Sequence, residues 1–319
     1  MLTKTQLRGV LNVAKPTGIS SYDVIRIIKQ IFKQENQKLE KIGHAGTLDP
    51  MASGVLLILF NEATKIARFL TEQEKEYIAE IRLGIKTDTD DITGRVIAEK
   101  NWSAVNRGEI AKVLAQFIGE INQIPPSFSA LRQKGQRLYD LARAGEKICP
   151  KPRRVFIDEL DLLEFKPPVL VIRAVVGKGT YIRALARDIG ERLGIGATLN
   201  RLTRTKIGDF KLEDAVDLKN LSFKDIKDHL CPLSKALSNL LTIYVKDTTI
   251  RKLISGQEID CLEQKCPSRV FTRIWFDRLL KATPVKILDE EERAMLIGFY
   301  SFGRLKPVRL VYADLPKTE

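Results

Sequence analysis

Residues 43–54, GHAGTLDPMASG, place a histidine and an aspartate in a stretch that also holds three glycines. Glycine lets a backbone turn tightly or approach a bound molecule closely, and an aspartate can serve as a nucleophile or as an electrostatic partner. Such a stretch fits a tight structural turn as well as it fits a ligand site. The residue types alone leave both interpretations open for Asp49.

Metal and hydrolytic chemistries lack the residues that they need. Hydrolysis by two carboxylates requires a partner for Asp49, and the nearest acidic cluster is Asp88, Asp90 and Asp91. That cluster lies on a predicted turn that fails the EF-hand calcium pattern, so we expect it to be solvated. The zinc-deaminase signature, H-x-E with P-C-x-x-C, is absent, and the four cysteines and two histidines lack zinc-ligand spacing. We therefore expect reduced thiols and no metal.

The chain is strongly basic, with 53 lysines and arginines against 40 aspartates and glutamates and a formal net charge of +13. This balance is typical of proteins with a polyanionic partner, but it does not separate RNA from DNA or anionic lipid. Much of the surplus falls in residues 130–154 and 173–206. We predict that both segments follow a phosphate backbone, with solvated helix faces as the alternative.

Hydrophobic spacing predicts the elements that must position these residues. Alternating or continuous apolar stretches predict strands at residues 9–14, 55–60, 76–83, 155–163 and 169–176. Helical periodicity and capping residues predict a helix that begins at Ser20 or Ser21 and further helices at 106–118 and 181–193. Residues 43–54 are predicted as a loop and 86–94 as a turn. Strands mixed with helices, without regular alternation, indicate an α+β fold.

The character of the sequence changes near residue 240, where helical patterns give way to short β-like runs. These runs lie at residues 241–245, 269–276, 284–288, 294–302 and 307–312. We predict a boundary there that few contacts cross, between a domain at residues 1–240 and a small β-rich domain at 241–319. A sharp break at residues 124–127 begins a basic excursion from the main sheet, at about residues 125–154.

Five motifs in order carry a resemblance to a known family. The stretch GHAGTLDPMASG is preceded by LNVAKPTGISSYDVI and followed by Lys75-Glu76-Tyr77, by IPPSFSA at 124–130 and by GTYIR at 179–183. With these motifs the chain closely resembles the TruB family of tRNA pseudouridine-55 synthases over residues 9–217. Residues 241–319, which contain GRLKPV at 303–308, resemble a PUA-type RNA-binding domain, from which residues 261–280 depart.

The resemblance implies a pseudouridine synthase fold, with a mixed, mainly antiparallel sheet, flanking helices and a small PUA-like C-terminal domain. It also implies that uridine 55 in the T-loop of tRNA is flipped out and isomerised to pseudouridine without a cofactor. The catalytic residues would be Asp49 as the carboxylate, Arg183 as the cation that holds it ionised, and Tyr181 as the base for the C5 proton. The residues that bind the flipped nucleotide would be His44, Tyr77, Tyr181 and Leu202.

The same resemblance implies that the excursion at residues 125–154 is a thumb that closes on the T-arm. Phosphate contacts are expected from Arg132, Lys134, Arg137 and Lys151. Asp90 is either hydrogen-bonded near Arg183 or part of a solvated turn.

We expect tRNA as the partner, with no metal, no cofactor, no obligatory protein partner and a monomeric chain. The longest apolar run, residues 55–60, is too short for a membrane span, and the N-terminus lacks a signal peptide's apolar region, so we expect a cytoplasmic protein. Two alternative functions remain open, a guide-dependent relative that acts with partner proteins and an RNA-binding or tRNA-folding protein. The long basic excursion favours recognition by the chain alone.

Overall fold

The computed structural model describes residues 7–128, 150–260, 282–301 and 303–315, together with the backbone of residues 3–4, 132–133 and 136–137. Several predictions therefore lie outside the described residues. They are the β-like run at 269–276, the departure at 261–280, Lys134, and the side chains of Arg132 and Arg137.

The described strands, in chain order, are β1 (Thr3–Lys4), β2 (Gly9–Lys15), β3 (Gln37–Lys38), β4 (Ile42–Ala45), β5 (Ser53–Phe60), β6 (Lys75–Leu83), β7 (Ile85–Thr87), β8 (Val96–Glu99), β9 (Gly119–Gln123), β10 (Arg132–Gln133), β11 (Gln136–Arg137), β12 (Arg153–Lys166), β13 (Val169–Val176), β14 (Ala197–Ile207), β15 (Phe210–Lys211), β16 (Val216–Asp217), β17 (Leu241–Val245), β18 (Ile259–Asp260), β19 (Thr283–Asp289), β20 (Ala294–Ser301) and β21 (Arg304–Ala313). The described α-helices are α1 (Ser21–Gln34), α2 (Ala67–Glu72), α3 (Arg107–Ala115), α4 (Ile182–Arg192), α5 (Phe223–Asp228), α6 (Leu233–Ala236) and α7 (Asp247–Ile254). Short 3-10 helices lie at Asn61–Ile66, Leu212–Asp214 and Leu218–Asn220.

Ten of the described strands form the main sheet, in the order β16-β2-β5-β14-β6-β13-β12-β9, with β4 paired to β5 and β15 to β14. The pairs β14–β5 and β16–β2 are parallel, and the other pairs in this sheet are antiparallel. Helices pack against it, and a second, five-stranded sheet follows it in the chain. This arrangement confirms the predicted α+β fold, the mixed, mainly antiparallel sheet and the β-rich C-terminal region.

The apolar run of β5 is continuous because both faces of this strand are buried. Leu56, Ile58 and Phe60 pack in one cluster with the apolar face of α1. Leu57 and Leu59 point to the other face and share a cluster with Leu288, Met295, Ile297 and Val311 of the second sheet. The strand therefore joins the helix layer on one side of the sheet to the C-terminal region on the other.

The helix signals in the sequence are confirmed where capping residues define them. Ser20 caps α1 through a capping box with Asp23, and Asn106 caps α3 through a capping box with Glu109. Each box satisfies backbone N–H groups that the first turn of a helix leaves unpaired.

Two predicted loops are shorter in the structure than in the sequence-based prediction. Ile42–Ala45 forms β4 against β5, and β5 itself begins at Ser53, so the predicted loop at 43–54 shrinks to residues 46–52. The predicted turn at 86–94 begins inside β7. In the first loop, pairing of β4 with β5 outweighs the local preference of glycine for turns. In the second, β7 is too short to show the alternation of apolar and polar residues by which a strand is recognised.

The second sheet, in the order β17-β19-β20-β21-β18, begins at Leu241, where the sequence changes character. The expectation that few contacts cross this boundary is wrong. The Lys65 ammonium donates to the Val311 carbonyl at 2.6 Å, and the Lys286 ammonium donates to the Ser234 carbonyl. The division at residue 240 stays a prediction, but the second face of β5 needs the C-terminal sheet as its cover.

None of the helices within the described ranges is long and apolar enough to cross a membrane.

Candidate active site

A cavity of about 690 Å³ opens between the loop at 46–52, the central strands β6 and β14, and the start of α4. Five of the predicted site residues line it together, namely Asp49, Tyr77, Tyr181, Arg183 and Leu202. They come from four separate parts of the chain, which the sheet and α4 bring to one place. His44 does not line the cavity.

The loop that carries Asp49 is anchored to the residues that precede and begin α1. The Ser21 hydroxyl accepts from the Leu48 N–H at 2.9 Å and donates to the Leu48 carbonyl at 3.1 Å. The Gly18 N–H donates to the Pro50 carbonyl at 2.8 Å, and the Asp49 carbonyl accepts from the Ala52 N–H at 3.0 Å. These bonds fix the backbone on both sides of the carboxylate, so its position is set by the fold.

Lys15, at the end of β2, contacts both the turn before α1 and the loop of Asp49. Its buried ammonium donates to the carbonyls of Pro16 and Ile19, each at 2.7 Å, and to the Pro50 carbonyl at 3.5 Å. Burial lowers the pKa of Lys15 to about 8. The sequence predicted no role for this residue.

Asp49 and Arg183 form the ion pair at the floor of the cavity. Arg183 Nη2 donates to Asp49 Oδ1 at 3.3 Å, and Nε lies 2.9 Å from Oδ2 without hydrogen-bond alignment. The Arg183 side chain is 7% exposed, whereas that of Asp49 is 38% exposed. The carboxylate is thus the member of the pair that a molecule in the cavity can reach.

Arg183 is held by more than Asp49. Its Nη1 donates to the Thr89 carbonyl at 3.1 Å, and its Nη2 donates to the Phe128 carbonyl at 2.9 Å. Its Nη1 also lies 3.6 Å from Asp91 Oδ2. The planar guanidinium therefore has a fixed orientation against the carboxylate.

The acidic turn at residues 88–94 is not the solvated turn that the sequence predicts. The side chains of Asp90 and Asp91 are only 14% and 7% exposed. Asp91 accepts from the Thr93 hydroxyl at 2.5 Å and from the Thr93 N–H at 3.0 Å, and it faces Arg183. The residue beside Arg183 is thus Asp91, whereas Asp90 pairs with Arg187 at 2.9 Å. Burial raises the pKa of Asp90 to about 6.

Arg204 is a further residue of this site that the sequence did not single out. Its side chain is almost completely buried, with the residue 1% exposed, and it donates to the carbonyls of Val55 at 2.8 Å and Gly46 at 2.7 Å. Its guanidinium carbon lies 6.0 Å from the ring centre of Tyr77. Arg204 therefore ties the loop of Asp49 to the strand of Tyr77.

Gly54 allows this arrangement, because β5 and β14 approach closely at the pair Gly54 and Arg204. Gly54 has a φ of +108°, and a Cβ atom there would lie 2.1 Å from the Arg204 carbonyl oxygen. A larger residue would force the two strands apart.

The prediction that residues 173–206 follow a phosphate backbone is wrong for three arginines of that segment, Arg173, Arg183 and Arg204. Arg183 and Arg204 are buried in the site. Arg173 is bound by three carboxylates, those of Glu76, Glu159 and Asp161, at 2.7, 2.5 and 2.9 Å. Side chains alternate between the two faces of a strand and point in successive directions around a helix, so a basic run in the sequence does not become one basic surface.

Tyr181 immediately precedes α4, and its backbone is fixed by a buried glutamine. Gln123 Oε1 accepts from the Tyr181 N–H at 2.9 Å, and Gln123 Nε2 donates to the Tyr181 carbonyl at 3.1 Å. Tyr181 itself is half-buried and lines the cavity, as does Leu202 on β14. The paired contacts set the direction in which the tyrosine enters the cavity.

Tyr77 and Lys75 point from the same face of β6 into the cavity. Tyr77 is largely buried, and its hydroxyl lies 3.5 Å from Arg204 Nη1. The Lys75 ammonium donates to the carbonyls of Thr71 at 2.8 Å and Gln73 at 2.6 Å, and burial lowers its pKa to about 8. The cavity thus combines an aromatic wall with several cationic groups.

His44 lies half-buried on β4. Burial and the positive charge of Arg204 lower its pKa. Its Nδ1 has no hydrogen-bond partner among the described residues. Of the residues expected to meet phosphates, Lys151 is exposed just before β12.

Known family models and relatives match this chain over most of its length. The family model "TruB family pseudouridylate synthase (N terminal domain)" matches residues 29–182, and the model "tRNA pseudouridylate synthase B C-terminal domain" matches residues 183–241. The tRNA pseudouridine synthase B of Francisella philomiragia is 46% identical over 297 residues, which are 93% of this chain and 92% of the relative. That of Clostridium tetani is 41% identical over 253 residues, which are 79% of this chain and 86% of the relative.

Two solved structures share the fold of this chain. A chain in the crystal structure of a Cbf5–Nop10–Gar1 complex matches with a TM-score of 0.71 and 25% identity, over 96% of this chain and 85% of that chain. A chain in the archaeal box H/ACA sRNP Nop10–Cbf5 complex matches with a TM-score of 0.70 and 25% identity, over 98% and 89%. On the sequence matches and the fold together, this chain is a pseudouridine synthase that belongs to the TruB family.

Proposed function

We propose that this enzyme converts uridine 55 in the T-loop of tRNA to pseudouridine, with Asp49 as its catalytic carboxylate. The observation that carries the proposal is the oriented Asp49–Arg183 pair in a cavity that Tyr77, Tyr181 and Leu202 also line. The relatives named above as tRNA pseudouridine synthases B support tRNA as the substrate.

The reaction breaks the N1–C1′ bond of uridine, turns the uracil and forms a C5–C1′ bond. C5 loses one proton and N1 gains one, so the product is an isomer of the substrate and the chemistry needs no cofactor. A carboxylate beside the sugar can act as a nucleophile or stabilise positive charge while the glycosidic bond breaks. Asp49 offers such a carboxylate, since it is the exposed member of its ion pair.

Tyr181 is the proposed base for the C5 proton. It stands directly before the helix that carries Arg183, and Gln123 fixes its backbone. A general base must lie within hydrogen-bond reach of the proton that it removes. Tyr181 lines the same cavity as Asp49 and Arg183, in which the detached uracil would turn, and this shared lining supports the proposal.

Tyr77 and Leu202 are proposed to hold the flipped uracil. Stacking of a base on an aromatic ring contributes about 1–3 kcal/mol, which helps to offset the unstacking of the base from the T-loop. Arg204 contacts both the hydroxyl and the ring of Tyr77 and so helps to hold this side chain in place. His44 is proposed to support the T-loop at the rim, and Arg132, Lys134, Arg137 and Lys151 to meet phosphates of the T-arm.

We also propose that the enzyme acts alone and that residues 241–319 extend its RNA contact. The matches to chains of Cbf5 complexes keep one alternative in view, a synthase that needs a guide RNA and partner proteins. The test is to incubate the purified protein, with nothing else, with unmodified tRNA transcripts and to map pseudouridine along them.

The expected result is one pseudouridine, at position 55, in full-length tRNA and in an isolated T-arm stem-loop. A transcript with cytidine at position 55 serves as the control and should stay unmodified. Tight tRNA binding without any pseudouridine would instead support the guide-dependent or the RNA-folding alternative.

A further inference from the structure

Two arginines on α4, one helical turn apart, contact the same two segments of the chain. Arg183 donates to the Thr89 carbonyl at 3.1 Å and to the Phe128 carbonyl at 2.9 Å. Arg187 pairs with Asp90 Oδ2 at 2.9 Å and donates to the Ile124 carbonyl at 2.8 Å. Each arginine therefore joins the acidic turn at 88–94 to the segment at 124–128, which leads into the basic excursion.

We propose that Asp90 and Arg187 are a positioning pair for the reaction, which hold the acidic turn and the segment 124–128 against α4 so that Arg183 keeps Asp49 in its reactive orientation. The proposal rests on the proposed catalytic role of Asp49. Neither residue lines the cavity, so the pair acts through Arg183 and not on the substrate.

The backbone conformation of Asp90 does not by itself require an aspartate, and this points to a role for the charge. Asp90 has a φ of +62°, in the left-handed region that few residues other than glycine, asparagine and aspartate adopt readily. An asparagine would suit this backbone as well and would avoid burying a charge. Burial raises the pKa of Asp90 to about 6, because the ionised carboxylate loses its contact with water. The ionised form is the one that pairs with Arg187.

The surroundings of Asp90 leave Arg187 as its direct partner. From α4 it is faced by Arg187, Arg183 and Asp188, and its own turn adds Asp88 and Asp91. Residues 124–128 offer backbone carbonyls but no titratable side chain. The backbone of the same turn also pairs with β14: the Leu199 N–H donates to the Asp90 carbonyl at 3.1 Å, and the Ile92 N–H donates to the Leu199 carbonyl at 2.8 Å.

The test compares Asp90→Asn, Arg187→Gln and the double variant in single-turnover reactions on tRNA between pH 5 and pH 8. Each single variant should slow the reaction by about 10- to 100-fold at pH 8, because a misplacement of about 1 Å at a catalytic group has effects of that size. The double variant should be no slower than the worse single one, because both remove the same interaction. Binding of tRNA should stay within a few-fold of wild type.

The pH profile separates positioning from a purely structural role. The wild-type rate should fall as the pH drops through about 6, where Asp90 gains a proton and releases Arg187, and Asp90→Asn should lack that step. The Asn variant should unfold at a temperature close to that of wild type at pH 8, because the removal of a buried charge offsets the loss of the ion pair with Arg187. A merely structural contact would make it less stable and leave the profile unchanged.

The control is Glu191→Gln, which breaks an ion pair that also joins α4 to the strand before the acidic turn, from Glu191 to Lys86 at 3.1 Å. It should leave the rate near that of wild type. Single variants within about threefold of wild type, or effects that add in the double variant, would overturn the proposal.

Hydrogen exchange decides the question even if tRNA proves not to be the substrate. An inactive wild-type enzyme would refute the proposed function alone. Arg187→Gln should still speed exchange of the amides of Ile92 and Leu199, while Glu191→Gln should not. Unchanged exchange in Arg187→Gln would refute the positioning pair independently of any activity.

Discussion

Replacing Arg183 by lysine tests whether the site depends on a positive charge or on the shape of a guanidinium. The arginine contacts Asp49, the Thr89 carbonyl and the Phe128 carbonyl at the same time. A lysine ammonium is a single donor centre on a flexible stem, so it cannot span these three partners. We expect Arg183→Lys to keep the charge and lose the orientation.

The size of the effect follows from the contacts. A lysine that still pairs with Asp49 gives up the bonds to the two carbonyls, each worth about 1.5–3 kcal/mol for a charged donor. Part of this loss lowers the stability of the fold and part raises the barrier. If about 2.7 kcal/mol reaches the transition state, the reaction slows by about 100-fold.

The assay is the single-turnover release of tritium from C5 of labelled uridine in tRNA. Binding of the same tRNA should change little, because the buried arginine faces Asp49 and not the phosphates. Arg173→Lys is the matched control, since Arg173 also binds carboxylates but does not line the cavity. A rate for Arg183→Lys equal to that of the control would refute the claim that guanidinium geometry matters.

The remaining predictions concern the cavity walls and the C-terminal sheet. Tyr77→Phe should keep most of its activity because it still stacks, whereas Tyr77→Ala should lose about 1–3 kcal/mol of base binding, measured as a weaker dissociation constant for the T-arm. Tyr181→Phe should slow product formation more than it weakens binding, and unchanged single-turnover rates would assign Tyr181 to packing. A chain that ends at Asn239 should lose cooperative urea unfolding, because it uncovers the β5 face that Leu288, Met295, Ile297 and Val311 cover, and buried side chains of this kind contribute about 1.5–3 kcal/mol each. A transition at the full-length midpoint would show that the two sheets are independent.

Helix starts and strands that depend on neighbouring residues could be predicted from the sequence. The capping boxes at Ser20 and Asn106 define helix starts, and the apolar run of β5 and the alternation of β6 define strands that the structure contains. Four of the five predicted residues that line the cavity, Asp49, Tyr77, Tyr181 and Arg183, lie in three of the five motifs, and Leu202 came from the family resemblance alone. Composition and periodicity alone left Asp49 undecided between a turn and a site.

The errors arise where burial depends on a distant partner. Asp90 and Asp91 lie in a polar stretch whose composition predicts a solvated turn. They are buried against Arg187 and Arg183, which lie about 90 residues away in the sequence, so no local pattern predicts their burial. Arg204 stood in a basic segment, and only the pairing of β14 with β5 turns its side chain inward. The contacts across residue 240 were missed in the same way, since a run such as VLLILF does not show which element covers each face.

The role of Asp49 is the central claim, and the turnover of Asp49→Asn tests it most directly. The amide keeps the size of the side chain and removes the charge, and the dissociation constant for tRNA, measured on the same preparation, controls for folding. We predict that Asp49→Asn forms no detectable pseudouridine at position 55 while its affinity for tRNA stays within a few-fold of wild type. Retention of even a few per cent of wild-type turnover would contradict the assignment of Asp49 as the catalytic carboxylate.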